Sequence, residues 1–138
     1  MNFPGNQDSR PLSPHLQVYR PMYTMVLSIL HRASGMFLSA GSLLLVAWLA
    51  SIAAGEAAFD AMAACFSSLP GRLLMAGALA AFWFHLFAGL RHLTWDAGFG
   101  FGRRSARTGG VLVVALTAAA FLATLWLTPV GRWLVVAT

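Results

Sequence analysis

Residues 33–55 read Ala33-Ser34-Gly35-Met36-Phe37-Leu38-Ser39-Ala40-Gly41-Ser42-Leu43-Leu44-Leu45-Val46-Ala47-Trp48-Leu49-Ala50-Ser51-Ile52-Ala53-Ala54-Gly55, 23 positions without a charged side chain. About 20 such residues, wound as a helix, cross the hydrocarbon core of a bilayer. Outward from this stretch lie two more, residues 73–90 with 18 positions and residues 108–131 with 24. The pattern predicts an all-α integral membrane protein with three transmembrane helices at about residues 25–55, 70–96 and 108–130, preceded by an arm over residues 1–24. The first helix is carried back to Met25 because Met25-Val26-Leu27-Ser28-Ile29-Leu30 is already apolar, and a long arginine such as Arg32 can snorkel from a helix end. Its excess length predicts tilt or projection.

The composition of the whole chain agrees. Of 138 residues, 59% are hydrophobic and 9% charged, where a soluble domain carries about a quarter charged. Nine arginines and no lysine face four acids, for a net charge of +5. The arginines are scattered among apolar stretches and form no stripe with stacking aromatics, which excludes nucleic acid as a partner. The single cysteine, Cys65, closes no disulfide within the chain, and CxxC pairs, a dinucleotide-binding glycine fingerprint and a P-loop are missing. No iron–sulfur or structural zinc site can be built from this chain alone, and flavin, nicotinamide or nucleotide chemistry, where there is any, has to come from partners. Residues 1–23, with four prolines, Asp8, Arg10 and Arg20, do not read as a cleavable secretory signal. Residues 56–71 hold Glu56, Asp60, Cys65 and Pro70 and read as a loop with a short interfacial helix. Gly98, Gly100 and Gly102 with Arg103, Arg104 and Arg107 read as a basic turn.

Arginine asymmetry gives an orientation. Arg10, Arg20 and Arg32 precede or open the first helix, and Arg91, Arg103, Arg104 and Arg107 lie between the second and third, so seven of nine fall on one side. The positive-inside rule makes that side the cytoplasm, or the matrix of an organelle, with the C-terminus opposite. Trp95 and Trp133 then fall near the inner and outer boundaries, where amphipathic rings settle.

Polar side chains in the spans are the candidates for chemistry. His85 in Phe82-Trp83-Phe84-His85-Leu86-Phe87-Ala88-Gly89-Leu90-Arg91-His92 lies about six residues, or about 9 Å, inside the Arg91 boundary. A polar group at that depth marks either a functional site or a histidine that bonds a neighbouring helix as packing glue. His85, Gly89 and His92 share one helix face. Gly89 serves either the approach of a flat macrocycle, with His85 as axial ligand, or a close helix–helix contact. His85 and His92 cannot ligate the same iron, because they stand about 10.5 Å apart along one axis and point the same way. On the first helix Ser28, His31 and Arg32 share a face at the inner boundary. They suit a carboxylate or a quinone carbonyl that gains charge on reduction, or form a solvated helix start with an ordinary arginine. His15, on a proline-stiffened arm, carries no role.

Arg10-Pro11-Leu12-Ser13-Pro14-His15-Leu16-Gln17-Val18-Tyr19-Arg20-Pro21, then Ser28-Ile29-Leu30-His31-Arg32-Ala33-Ser34-Gly35, then His85 followed by Gly89-Leu90-Arg91-His92-Leu93-Thr94-Trp95-Asp96 resemble the larger cytochrome b membrane-anchor subunits of succinate dehydrogenase, respiratory complex II. The two central motifs, SxxHRxxG and HxxxGxRHxxxD, are specific in combination. The third helix adds little.

The resemblance implies half of a two-subunit haem-binding bundle within a four-subunit succinate:ubiquinone oxidoreductase of a bacterial or mitochondrial inner membrane. Its partners would be a smaller membrane-anchor subunit, an iron–sulfur subunit, a flavoprotein subunit and membrane lipid. The chain would be no enzyme by itself, but a non-flavin subunit contributing to the haem and quinone sites. By resemblance His85 is an axial ligand of a b-type haem iron, the second ligand coming from the smaller anchor. Ser28 and Arg32 align with ubiquinone contacts, His31 and Arg32 with residues near the haem propionates, His92 with the haem vicinity, and Asp96 with a proton path or a structural position. Three rivals remain: a haem-free structural anchor, a small transporter subunit using His85 and Arg91 as a relay, and a stand-alone haem electron carrier. Transport would favour inverted repeats, which are missing, and a stand-alone carrier would need deep histidines on two helices.

Overall fold

The computed structural model of the chain describes residues 20–135. Of the expected N-terminal arm, residues 1–19, with Arg10 and His15, lie outside the described residues. Five helices follow one another: α1 (Tyr23–Ala54), α2 (Glu56–Ser67), α3 (Leu69–Asp96), α4 (Arg103–Leu127) and α5 (Pro129–Val135). No strand occurs among the described residues. Helices α1, α3 and α4 run for 32, 28 and 25 residues and are long and apolar enough to cross a membrane.

Helix α3 is the middle element and packs along both α1 and α4, which touch each other less. Gly110 near the start of α4 lies against Tyr23 and Leu27 at the start of α1, and Gly109 lies against Arg91 near the end of α3. The starts of α1 and α4 and the end of α3 therefore share one end of an up-down-up bundle. Arg32, Arg91, Arg103, Arg104 and Arg107 gather toward that end, while Arg72 opens α3 and Arg132 sits in α5 at the other.

The interior is thin. Leu27, Ala88 and Val113 are its buried apolar residues, joined by the buried Ser34 and Ser51, whereas Leu43 and Leu127 are 72% and 80% exposed. A water-soluble fold would reverse this distribution. In lipid the exposed apolar faces meet a solvent as apolar as themselves, so helices associate through small residues that let backbones approach. Thr124 and Trp83 add a polar tie, the indole Nε1 donating to Thr124 Oγ1 at 3.1 Å between α3 and α4.

Local chemistry sets the breaks. Gly55 adopts φ 108°, where an L side chain is strained, and separates α1 from α2. Ser68 caps α3, its Oγ accepting from Gly71 N at 3.2 Å, and Pro70 stands in the first turn, where a missing N–H leaves no bond unmade. Gly98 and Gly100, at φ 87° and 85°, turn the chain from α3 into α4.

Three boundaries differ from the sequence expectation. Most of residues 56–71 is helix, because α2 takes 12 residues rich in alanine, with Glu56 complementing the dipole of its first turn. Arg103, Arg104 and Arg107 stand in the opening turns of α4 rather than in a turn before it. An uncharged run marks the crossing of hydrocarbon, but a helix continues past it wherever long arginine side chains reach water. The third stretch also divides at Thr128: α4 stops at Leu127, and Pro129, which has no N–H to give, opens α5.

Candidate functional site

His31 of α1 enters between two histidines of α3. Its ring stacks on His85 with centroids 4.3 Å apart and planes 24° apart, and on His92 at 4.9 Å and 21°. Two turns separate His85 from His92 on one face of α3, so a single imidazole from the facing helix fits the gap. The column continues at the bundle end: His92 meets Trp95 edge-on at 5.0 Å, and the Arg91 guanidinium lies 4.1 Å from the centre of the Trp95 ring. A cation over an indole face is held by the ring quadrupole, and Arg91 also donates to the Ala106 carbonyl at 3.3 Å. Arg91 thereby ties α3 to α4.

Gly35 makes room for the stack, and Gly89 lies beside it. Gly89 faces the His31 ring, where an added Cβ would lie 3.8 Å from Nε2. That is an ordinary van der Waals distance to a side chain of α1. Gly35 lies under His85, where a Cβ would stand 2.8 Å from Cε1. Closest approach at His85 thus belongs to α1, a glycine the sequence reading quoted in its motif but gave no role.

The hydrogen bonds of His85 determine its tautomer. Nδ1 lies 3.1 Å from the His31 carbonyl oxygen and 3.1 Å from Ser34 Oγ. A carbonyl only accepts, so Nδ1 carries the hydrogen. With the hydrogen on Nδ1, the lone pair of this tautomer is on Nε2, which makes no hydrogen bond among the described residues. His31 differs: its Nε2 is buried and without a hydrogen-bond partner there.

An open groove of about 570 Å³ runs over this face, lined by His31, Arg32, Gly35, Met36, Ser39 and His85. Arg32 is exposed at its edge and Ser28 is half-buried one turn back along α1. The structure thus brings His31, Arg32 and His85 into one groove and stacks His92 behind it. Asp96, exposed at the last position of α3, does not line the groove. Sequence reasoning missed Ser34, Gly35, Met36 and Ser39. The signal available was spacing: Gly35 and Ser39 follow His31 by four and eight residues, the helical period that keeps them on its face.

The donor set suits a metal-bound macrocycle. A ligating histidine commonly gives its second N–H to a carbonyl and presents the other nitrogen to the metal. His85 has that arrangement over a glycine, beside an orphaned polar atom on His31 and a cation at the groove edge.

Comparison with known proteins agrees with the motif resemblance. The family described as succinate dehydrogenase/fumarate reductase transmembrane subunit matches residues 6–124. The chain is 39% identical over 110 residues to the succinate dehydrogenase cytochrome b556 subunit of Paracoccus denitrificans, covering 80% of this chain and 85% of that one. It is 33% identical over 119 residues to the cytochrome b556 subunit of Rickettsia bellii, covering 86% and 92%. With the succinate dehydrogenase cytochrome b560 subunit of Reclinomonas americana it shares 35% over 122 residues, covering 85% and 83%. A bundle of three spans matched over most of its length belongs to the succinate dehydrogenase/fumarate reductase transmembrane-subunit family.

Proposed function

We propose that this chain is the larger membrane-anchor subunit of a succinate:ubiquinone oxidoreductase, that His85 is one axial ligand of a b-type haem, and that Ser28 and Arg32 form part of the ubiquinone-reduction site. The observation that carries the haem assignment is the His85 ring, whose Nδ1–H is committed to the His31 carbonyl at 3.1 Å while Nε2 has no partner among the described residues. The names of the relatives, cytochrome b556 and b560 subunits, support it. By the family resemblance the second axial ligand comes from the smaller anchor subunit; within this chain His92 stands on the same helix face as His85, and the His31 ring is stacked between the two. When bound, the haem supplies a one-electron store beside the quinone.

The chain's own residues hold the substrate. Ubiquinone takes two electrons and two protons to become the quinol, the electrons arriving from an iron–sulfur subunit docked with a flavoprotein subunit. As charge builds on a carbonyl oxygen, the Arg32 guanidinium and the Ser28 hydroxyl bind it more strongly than they bind the neutral quinone, which is how a fixed donor accelerates the step. Arg32 lines the groove one helical turn from Ser28, which supports this role. Asp96 serves proton exchange with water at the exposed end of α3. The arginine-rich end faces the cytoplasm or matrix, by the positive-inside rule, and carries the soluble subunits.

A reduced-minus-oxidised difference spectrum of the complex in mild detergent tests this reading, recorded for the native chain and for His85→Leu, with identification of the chains that co-purify. The expected result is a b-type band with flavin and iron–sulfur subunits attached, and loss or alteration of that band in the variant while the chain still inserts. An unchanged spectrum in the variant sinks the ligand assignment.

A further inference from the structure

Ser34 is buried within α1 and makes two contacts. Its hydroxyl donates to the His31 carbonyl one turn back at 2.8 Å, and its oxygen lies 3.1 Å from His85 Nδ1. With its hydrogen spent on the carbonyl, Oγ has lone pairs to offer, and the Nδ1 hydrogen is shared between Ser34 Oγ and the His31 oxygen. Gly35, the next residue, leaves the room in which the ring lies. A serine in a helix interior usually needs only its own turn for a partner, as Ser39 and Ser51 do with Gly35 O and Trp48 O. Ser34 reaches across to another helix.

We propose that Ser34 is a positioning residue for the haem ligand: by accepting from Nδ1 beside the His31 carbonyl it locks the orientation of the His85 ring and raises the donor strength of Nε2 toward iron. This rests on the reading that His85 ligates the haem. A second acceptor on Nδ1–H pushes electron density to Nε2, and a stronger donor favours the ferric over the ferrous state. Removing the hydroxyl weakens the donor, so the reduction potential rises. The His31 carbonyl still holds the proton, so the ring keeps its tautomer and loses only part of its support.

The test is a potentiometric titration of the haem in the intact complex, with its low-spin electron paramagnetic resonance spectrum, for the native chain, Ser34→Ala and Ser34→Thr. In Ser34→Ala the ferric-to-ferrous ratio at a fixed potential falls, the midpoint rising by about 59 mV for each tenfold change of a one-electron couple, and the resonance positions that report ligand orientation shift. Ser34→Thr keeps the hydroxyl and keeps the native potential. Should the alanine variant fail to assemble, Ser34→Cys, with its weaker acceptor, is measured in its place and shifts in the same direction. A native potential and spectrum in Ser34→Ala, or equal shifts in the alanine and threonine variants, overturns the proposal. His85→Leu separates the two readings: if its haem signal is unchanged, the ligand assignment itself fails, whereas a changed signal there with a silent Ser34→Ala removes the positioning role alone.

Discussion

The imidazole of His31 lies face to face with that of His85 at 4.3 Å, and the backbone oxygen of the same His31 holds the His85 Nδ1 hydrogen at 3.1 Å. One residue of α1 thus contacts the His85 ring through its side chain and through its backbone. This relationship makes the α1–α3 contact inseparable from the geometry of the candidate ligand. A change that slides one helix on the other moves the ring.

Gly35→Ala brings a Cβ to 2.8 Å from His85 Cε1, closer than side-chain atoms tolerate. The ring or the helix has to give, and overpacking of this kind costs about 1–3 kcal/mol. Thermal unfolding of the purified complex should show the loss, accompanied by lower haem retention. Unchanged stability and haem content would mean that α1 and α3 stand farther apart than described.

Arg32→Leu removes a charged donor from the groove edge. A hydrogen bond to a charged group contributes about 1.5–3 kcal/mol, so quinone reduction at limiting quinone should fall on the order of 10- to 100-fold. Succinate oxidation by an artificial dye acceptor, which bypasses the quinone, should change little. Equal losses in the two assays would count against a quinone contact.

Trp83→Phe deletes the 3.1 Å bond to Thr124 Oγ1 and keeps the ring that stacks on Phe87. Thr124 still donates to Ala120 O at 2.8 Å, so no donor is orphaned. The expected cost is about 0.6 kcal/mol, the average for interhelical bonds in a membrane protein. A loss of several kcal/mol, read from denaturation in detergent, would reveal a larger role for this tie.

Gly110→Val sets a branched side chain where an added Cβ already lies 2.6 Å from Tyr23 Cε1 and 2.7 Å from Leu27 Cδ1. Tyr23 stands at the start of α1 and can swing away, but Leu27 is buried. The contact between α1 and α4 should loosen, with protease sensitivity rising in the connection between α3 and α4. Gly110→Ala should be milder, since flexible side-chain ends can retreat.

Much of the architecture was legible because a bilayer is a demanding solvent. A run such as 33–55 without charge has few fates other than a spanning helix, since every backbone polar group must be satisfied within the segment. His85 stood out for the same reason, as a polar group in an apolar run, and its motif carried the family resemblance that the comparisons bear out. The start of α4 at Arg103 was hidden, because charge marks the membrane edge and not the helix edge.

Sequence by itself determined which segments are helical and apolar enough to span, which residues share a face, and that His85 and His92 could not serve one iron, because these follow from the 1.5 Å rise and 100° turn of a single helix. Only the tertiary structure decided that His31 fills the space between those two histidines, that Gly35 rather than Gly89 lies under His85, and that Ser34 reaches its ring nitrogen. Those facts depend on the rotation and height of α1 against α3. In lipid that register is set by small residues and a few hydrogen bonds between helices, which leave no period along the chain to be read.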